Sequence, residues 1–139
     1  MLLCVDIGNT NIVLGLYAGG RQVSHYRMRT VHEATADEYG SAICSMLERA
    51  QVAAADLDGV ALCSVVPRLS QTFDEVARTY LGRDVLHVDA SLDLGLRIAV
   101  DRPQEVGADR LVNSVAAYHL LGGPTCVVDF GTATKFDVV

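Results

Sequence analysis

The chain has 139 residues, of which 50% are hydrophobic and 20% are charged, and this composition excludes an intrinsically disordered protein. Its 11 basic and 17 acidic side chains give a formal net charge of −6, which excludes a general attraction to nucleic acid or to an anionic membrane. No apolar run approaches the roughly 18 residues that a membrane-spanning helix requires. The four cysteines lack a CxxC spacing, so we expect buried, reduced thiols in a cytoplasmic protein.

The beginning of the chain predicts three β-strands. Apolar runs at Leu2–Val5 and Ile12–Tyr17 flank a polar turn that contains a glycine. Gly19-Gly20 makes a second turn, and the alternating segment Gln22–Arg29 follows as the third strand.

Helical and strand patterns alternate in the rest of the chain. Thr35 and Glu38 have the spacing of a capping box, which predicts a helix that ends near Ala50. Further along we expect strands at Val60–Val66, Val85–Val88 and Cys126–Val128. We also expect one helix over Leu69–Tyr80 and another that follows Pro103 and runs through Leu111 to Leu120. Strands that alternate with helices predict an α/β protein with a mixed sheet and helices on its faces.

The most informative feature is a duplicated pattern. Leu3–Asn11 and Cys126–Thr134 each consist of an apolar strand, an aspartate, a hydrophobic residue, a glycine and then small hydroxyl or amide side chains. Glycine permits a tight turn and a close approach of backbone amides, and a nest of amides binds phosphate. One such turn alone is more often an ordinary hairpin turn. Two copies predict two phosphate-binding turns, one per domain, that grip a nucleotide across a cleft.

The same duplication predicts the domain organisation and a metal ion. Gly122-Gly123-Pro124 separates the third helix from the last strand, so we expect one domain over residues 1–123 and the start of a second over residues 124–139. The aspartates of the two turns, Asp6 and Asp129, would repel a nucleotide, since unit charges about 4 Å apart interact with about 4 kcal/mol at an effective dielectric near 20. We therefore expect Mg²⁺, which bridges phosphate oxygens.

A second unusual cluster, Val106–Arg110, lies where the third helix is expected to begin. The helix dipole alone favours an acidic residue such as Asp109 in a first turn, and this is the simpler explanation of that residue. Gly107 beside it indicates a close backbone approach, and Arg110 can pair with a carboxylate or a phosphate. With a hydroxyl substrate bound here, Asp109 could accept the hydroxyl proton during phosphoryl transfer.

Four motifs, in this order, resemble the type III pantothenate kinase family of the acetate and sugar kinase, Hsp70 and actin superfamily. They are Asp6-Ile7-Gly8-Asn9-Thr10-Asn11, Ser64-Val65-Val66-Pro67, Gly107-Ala108-Asp109-Arg110 and Asp129-Phe130-Gly131-Thr132-Ala133-Thr134. The resemblance implies a ribonuclease H-like (actin-like ATPase) domain with a mixed five-stranded sheet, followed by the first hairpin of a second similar domain. It also implies ATP-dependent phosphorylation of pantothenate to 4'-phosphopantothenate, the first step of coenzyme A biosynthesis.

The resemblance also implies roles for individual residues. Asp109 matches the catalytic proton acceptor, Asp129 matches the ligand of K⁺ or NH₄⁺, and Asp6 lies near Mg²⁺. The residues that match ATP contacts are Asp6, Ile7, Gly8, Asn9, Thr10, Asn11, Ile12, Val13 and Thr132. Those that match pantothenate contacts are Gly107, Ala108, Asp109, Arg110 and Val100, the last standing where relatives often carry tyrosine.

Family members are homodimers that bind pantothenate and ATP, with a second half about as long as this chain. We therefore expect little kinase activity from the 139 residues alone. Lys135 stands where threonine is more usual, and could contact a phosphate or face solvent. Two alternatives stay open: a nucleotide-binding regulatory relative without turnover, and a kinase of the same superfamily for another small hydroxyl or carboxylate substrate. The cluster at residues 107–110 argues against the second alternative.

Overall fold

The computed structural model describes residues 1–131 and 133–139, which form two compact units, Met1–His87 and Val88–Val139. The helices and strands of the first unit are β1 (Leu2–Ile7), β2 (Asn11–Ala18), β3 (Arg21–Arg29), α1 (Ala36–Arg49), β4 (Gly59–Ser64), α2 (Pro67–Val76) and β5 (Val85–His87). Those of the second unit are α3 (Ala108–Leu121), β6 (Cys126–Phe130) and β7 (Thr134–Val138). The predicted order of strands and helices is confirmed.

The first unit contains a five-stranded sheet in the order β3-β2-β1-β4-β5. β1, β2 and β3 form an antiparallel meander. β4 pairs in parallel with β1, and β5 pairs in parallel with β4. Alternate residues of β1 (Leu3, Val5 and Ile7) are at most 3% exposed, because successive side chains of a strand point to opposite faces. The predicted mixed five-stranded sheet is therefore confirmed.

α1 begins with the predicted capping box. The hydroxyl of Thr35 accepts a hydrogen bond from the Glu38 amide at 3.3 Å, and the Glu38 carboxylate accepts one from the Thr35 amide at 2.8 Å. These bonds satisfy two amides that have no partner inside the helix. The bond that the Glu38 carboxylate accepts from the Thr35 amide lowers the pKa of Glu38. The apolar stripe of α1 includes Tyr39, Ile43 and Leu47, which are buried in the core under the sheet.

α2 continues into a π-helical turn, Ala77–Leu81, that the sequence did not predict. Gly82 ends this turn with a φ of 63°, a left-handed conformation that favours glycine. The turn places the ring of Tyr80 over Gly40 of α1, and the Tyr80 hydroxyl donates to Asp37 at 2.5 Å. This hydrogen bond raises the pKa of Tyr80.

In the second unit, α3 begins at Ala108, within the Val106–Arg110 cluster where the sequence predicted the start of the third helix. Pro103–Glu105 forms a separate 3-10 turn before it. β6 and β7 pair as an antiparallel hairpin, with Phe130 and Phe136 among its exposed side chains. α3 falls in the same compact unit as this hairpin, whereas the sequence predicted a domain boundary between residues 123 and 124. That domain boundary stays a prediction.

Two general expectations can be compared with the fold. No helix in residues 1–131 and 133–139 is long and apolar enough to cross a bilayer. All four cysteines are free thiols, as expected, but burial of all four is wrong: Cys63 is buried, Cys4 and Cys44 are half-buried, and Cys126 is exposed on β6. Burial raises the pKa of the Cys4 thiol.

Candidate functional site

The first predicted phosphate-binding turn connects β1 to β2. The Gly8 amide donates to the carbonyl of Asn11 at 3.0 Å and closes the turn. A Cβ atom on Gly8 would lie 3.1 Å from that same carbonyl oxygen, so a larger residue would require the turn to shift by a few tenths of an ångström. The side chains of Asp6, Asn9 and Thr10 are exposed, as contact with a ligand requires.

Three of the predicted ATP-binding residues are buried or half-buried, unlike the exposed residues of the turn. Ile7 and Ile12 face each other across the β1–β2 ladder and are 0% exposed, and Val13 is half-buried. Because side chains that are fully buried cannot touch a ligand, Ile7 and Ile12 anchor the turn in the core. Their own contribution to a binding site is limited to backbone groups.

Thr30 supports this turn, and the sequence analysis missed it. Its hydroxyl donates to the Gly8 carbonyl at 2.7 Å, and its amide donates to the Thr10 carbonyl at 3.0 Å. In turn, the Tyr39 hydroxyl exchanges two hydrogen bonds of 2.9 Å with the backbone of Val31. In the sequence, Thr30 is a threonine directly after an alternating strand. This pattern is too common to identify a residue that supports a turn.

The motif Ser64-Val65-Val66-Pro67 lies at the same edge of the sheet as the first turn. Val65 donates its amide to the Ile7 carbonyl at 3.0 Å, directly beyond the parallel pairing of β1 with β4. The Ser64 hydroxyl accepts from the Val66 amide at 3.0 Å, which turns the chain into α2. Two of the four motifs are thus neighbours at the carboxyl ends of parallel strands, where ligands of open α/β sheets bind.

The second predicted turn connects β6 to β7. The Gly131 amide donates to the Ala133 carbonyl at 3.3 Å, and Asp129 lies directly opposite Lys135 in the hairpin. Both copies of the duplicated pattern are therefore antiparallel hairpins with an aspartate near the turn. Thr132, predicted to bind ATP, lies outside the described residues.

Asp109 and Arg110 form the first turn of α3. Gly107 is the N-cap in an extended conformation (φ −60°), and its carbonyl accepts from the Arg110 amide at 3.0 Å. The same amide donates to the Asp109 Oδ1 at 2.9 Å. Ala108 is buried, so it can offer a ligand only its backbone.

Lys135 connects Asp109 to Asp129. Its ammonium forms an ion pair with the Oδ2 of Asp109 and lies 3.4 Å from the Oδ2 of Asp129. The hydrogen bond to Asp109 raises the pKa of Lys135, so the side chain is a cation at neutral pH. The expectation that Lys135 contacts a phosphate or faces solvent therefore missed its actual partners, two carboxylates.

Arg110 is held by Asp137, a residue that the sequence analysis also missed. The guanidinium donates from Nε to the Asp137 carboxylate at 2.9 Å and pairs with it again through Nη2, which raises the pKa of Arg110. Lys135 and Asp137 are two residues apart on β7, so both point to the same face of the strand. That alternation was the available signal, but it could not indicate which residues would face the pair.

A cavity of about 270 Å³ lies beside this cluster and brings two predicted substrate contacts together. Val100 and Arg110 both line it, along with Leu111 and Asp137. Its volume is near the lower end of small-molecule sites, which measure about 300–1,000 Å³. The cavity offers the guanidinium groups of Arg97 and Arg110 and the carboxylate of Asp137 among mostly apolar side chains, which suits a small polar organic ligand.

The carboxylates fit the two predicted cations differently. No group of three or more His, Cys, Asp or Glu side chains in the described part of the chain could enclose a metal. A single exposed carboxylate such as Asp6 still fits Mg²⁺, which commonly takes one or two protein carboxylates and obtains its remaining ligands from phosphates and water. Asp129 fits a free K⁺ or NH₄⁺ poorly, because the Lys135 ammonium already lies against it.

Solved structures show which fold this is. A ROK hexokinase from Thermus thermophilus matches 99% of this chain and 46% of its own at a TM-score of 0.53 and 18% sequence identity. YeaZ from Pseudomonas aeruginosa matches 99% of this chain and 57% of its own at a TM-score of 0.52 and 16% identity. At such identities only the fold is shown, and the predicted actin-like ATPase fold class is confirmed.

Sequence relatives narrow the family. Type III pantothenate kinases from Moorella thermoacetica and Agathobacter rectalis are 45% and 43% identical to the chain over 139 residues. The chain spans 55% and 54% of their lengths, which is about half of each relative. The sequence profile of the type III pantothenate kinase family matches residues 2–139. The chain therefore belongs to the type III pantothenate kinase family.

Proposed function

We propose that the complete protein transfers the γ-phosphoryl group of ATP to the primary hydroxyl of pantothenate. The products would be 4'-phosphopantothenate and ADP, and the reaction would open coenzyme A biosynthesis. One observation of the structure carries the proposal: the Asp109 carboxylate is fixed at the first turn of α3 by the Arg110 amide at 2.9 Å and by the Lys135 ammonium. A carboxylate oriented in this way suits the acceptor of a hydroxyl proton.

The proposed step begins with the hydroxyl oxygen of pantothenate beside Asp109. As this oxygen attacks the γ-phosphorus, its proton passes to Asp109, and the bond from the phosphorus to the β,γ-bridging oxygen breaks to leave ADP. Each oxygen of an ionised carboxylate has two lone pairs, so Asp109 can accept the substrate proton while it keeps both of its present hydrogen bonds. Such a base contributes about 10²–10⁴-fold to the rate.

The first turn is proposed to bind the phosphates of ATP. The exposed side chains of Asn9, Thr10 and Asn11 would supply donors beside the backbone amides of the turn. Mg²⁺ held through Asp6 would neutralise the charge on the phosphates. Thr30 fixes the carbonyls of Gly8 and Thr10, which keeps the turn preorganised for this role.

Pantothenate is proposed to occupy the cavity lined by Val100 and Arg110. The substrate carries a carboxylate, and a guanidinium matches the geometry of carboxylates. Arg110 is already held in place by Asp137, so it would lose little side-chain entropy on binding. Gly107 and Ala108 would contribute backbone contacts beside it.

The remaining expectations from the resemblance belong to the complete protein. We propose a cytoplasmic homodimer that binds ATP and pantothenate. The resemblance alone also implies K⁺ or NH₄⁺ at Asp129, but the Lys135 ammonium beside this carboxylate argues against such an ion. We also propose that residues 1–139 without a second half have little kinase activity.

A second candidate, a nucleotide-binding relative without turnover, is favoured by one specific observation. Both oxygens of Asp109 already accept hydrogen bonds, one from the Arg110 amide and one from Lys135. If both bonds persist when substrates are bound, Asp109 serves only to hold Lys135 and the first turn of α3 in place. The protein would then bind ATP but would not phosphorylate pantothenate.

The test is pantothenate-dependent release of ADP by the full-length protein with ATP and Mg²⁺. Wild type is compared with Asp109→Asn, and the exposed Asp84 provides the matched control Asp84→Asn. We expect Asp109→Asn to lower kcat by about 10²–10⁴-fold with ATP binding retained, since a general base contributes this much. Asp84→Asn should retain wild-type kcat.

The outcomes separate the two candidates. Wild-type turnover that needs pantothenate and is lost in Asp109→Asn supports the kinase and its base. A folded full-length wild type that binds ATP but releases no ADP with pantothenate refutes the kinase and leaves the nucleotide-binding relative. Equal turnover by wild type and Asp109→Asn would refute the assignment of the base.

A further inference from the structure

Lys135 is the only lysine among the 139 residues, which otherwise use ten arginines for positive charge. The hairpin register places it directly opposite Asp129. In the first copy of the duplicated pattern, the residue opposite Asp6 is Val13. The two hairpins are therefore not equivalent, because only the second contains a cation across from its aspartate.

Two carboxylates from different elements converge on this ammonium. Asp109 belongs to α3 and Asp129 to β6, and each approaches the Lys135 Nζ with its Oδ2 oxygen. The side chains of Lys135, Asp109 and Asp129 are 31%, 19% and 34% exposed, so water screens them only in part. Two partly buried carboxylates that lie close together repel each other, and the lysine ammonium between them reduces this repulsion.

We infer that the Lys135 ammonium takes the place that a monovalent cation would have at Asp129, so that this protein holds Asp109 and Asp129 together without K⁺ or NH₄⁺. A tethered ammonium carries the same single charge as these ions. Since it is attached to the neighbouring strand, its effective concentration at the site does not depend on the salt in solution. A second cation at Asp129 would be repelled by the lysine.

Lys135 is therefore a positioning residue, which acts on the reaction through Asp109. Its removal leaves two carboxylates that share no cation, and these would recruit one from solution. The change from Lys135 to methionine keeps a side chain of similar length and removes the charge together with the hydrogen bond to Asp109. The substitution should therefore make the melting temperature and the turnover depend on K⁺, whereas those of the wild type do not.

The experiment compares wild type with Lys135→Met, both as full-length proteins, in KCl and in choline chloride at equal concentration. Thermal melting is measured without substrates, and pantothenate-dependent ADP release is measured in parallel. Only the activity readout rests on the proposed function, because the melting readout needs no turnover. Arg102→Met is the matched control, since Arg102 makes an exposed ion pair with Glu105 at 2.9 Å in the same unit.

We expect the melting temperature and turnover of wild type and Arg102→Met to be the same in the two salts. Lys135→Met should melt at a higher temperature in KCl than in choline chloride, because an ion that binds only the folded state stabilises it. Its turnover should fall by about tenfold in choline chloride and recover in KCl, within the 5–150-fold range typical of coupling between sites. Lys135→Arg keeps the positive charge, so its melting temperature and turnover should again be the same in the two salts.

Two results would overturn the inference. One is a wild-type protein whose melting temperature rises specifically with K⁺, because the lysine then does not fill the cation's place. The other is a folded Lys135→Met protein whose melting temperature is the same in both salts. If the full-length protein has no kinase activity, the melting comparison alone still decides between these outcomes.

Discussion

Replacing Gly40 by alanine is expected to destabilise the protein when Tyr80 is present and to stabilise it when Tyr80 is replaced by alanine. Gly40 is buried in the middle of α1, where alanine is intrinsically favoured over glycine by about 1 kcal/mol. A Cβ atom at this position would, however, lie 2.5 Å from Cε2 and 2.7 Å from Cγ of Tyr80. These distances are far below van der Waals contact, so the ring must move.

The magnitude follows from two opposing effects. Overpacking of this kind typically costs about 1–3 kcal/mol, and the displaced ring also gives up the 2.5 Å hydrogen bond to Asp37. Against the gain of about 1 kcal/mol from helix propensity, we expect Gly40→Ala to lower the free energy of unfolding by about 1 kcal/mol. In the Tyr80→Ala background the clash is absent, and the same change should raise that free energy by about 1 kcal/mol.

The assay is urea-induced unfolding followed by circular dichroism, applied to wild type, both single variants and the double variant. A change in the denaturation midpoint at constant m-value reports stability alone. The difference between the two effects of Gly40→Ala is the coupling energy of the pair, as in a double-mutant cycle. If Gly40→Ala stabilises both backgrounds equally, Tyr80 does not pack on α1 as described, and the reasoning is refuted.

Two further predictions concern stability. Thr35→Ala should lower the free energy of unfolding by about 1 kcal/mol in the same urea assay, because it removes the side-chain half of the capping box, whereas Thr35→Ser should be nearly neutral. The N-terminal ammonium donates to Asp58 at 2.6 Å and lowers the pKa of that carboxyl. The resulting stability is fully present above the ordinary pKa of aspartate and is lost as the pH falls through the lowered pKa. The melting temperatures of wild type and Asp58→Asn should therefore differ at neutral pH and converge in acid, and a constant difference would contradict this.

The elements of the fold could be predicted because their signals are local. Thr35 and Glu38 predict α1 through a capping box of four residues, and the strands around Gly8 are apolar runs beside a polar turn. The π-helical turn at Ala77–Leu81 could not be predicted in this way. Its sequence continues the apolar pattern of α2, so the periodicity of the sequence does not distinguish the two conformations.

The site was predictable in part for the same reason. Asp109 and Arg110 were identified from their motif, but their partners Lys135 and Asp137 lie 26 and 27 residues further along the chain. Such pairs depend on how α3 lies against the β6–β7 hairpin, and periodicity within one element carries no information about it. Thr30 was missed likewise, because its bond to Gly8 spans 22 residues and two strands.

The single lysine has a practical consequence for handling residues 1–139. These residues carry two primary amines: the Met1 ammonium, which donates to the Asp56 carbonyl at 2.7 Å and to Asp58, and the Lys135 side chain, which lies between Asp109 and Asp129. Amine-coupled sensor surfaces, fluorescent esters and lysine crosslinkers all react at such groups. An amine reagent that does not react at the amino terminus would therefore modify Lys135, within the proposed catalytic cluster. Attachment through the exposed thiol of Cys126 or through an added tag leaves both ammonium groups intact.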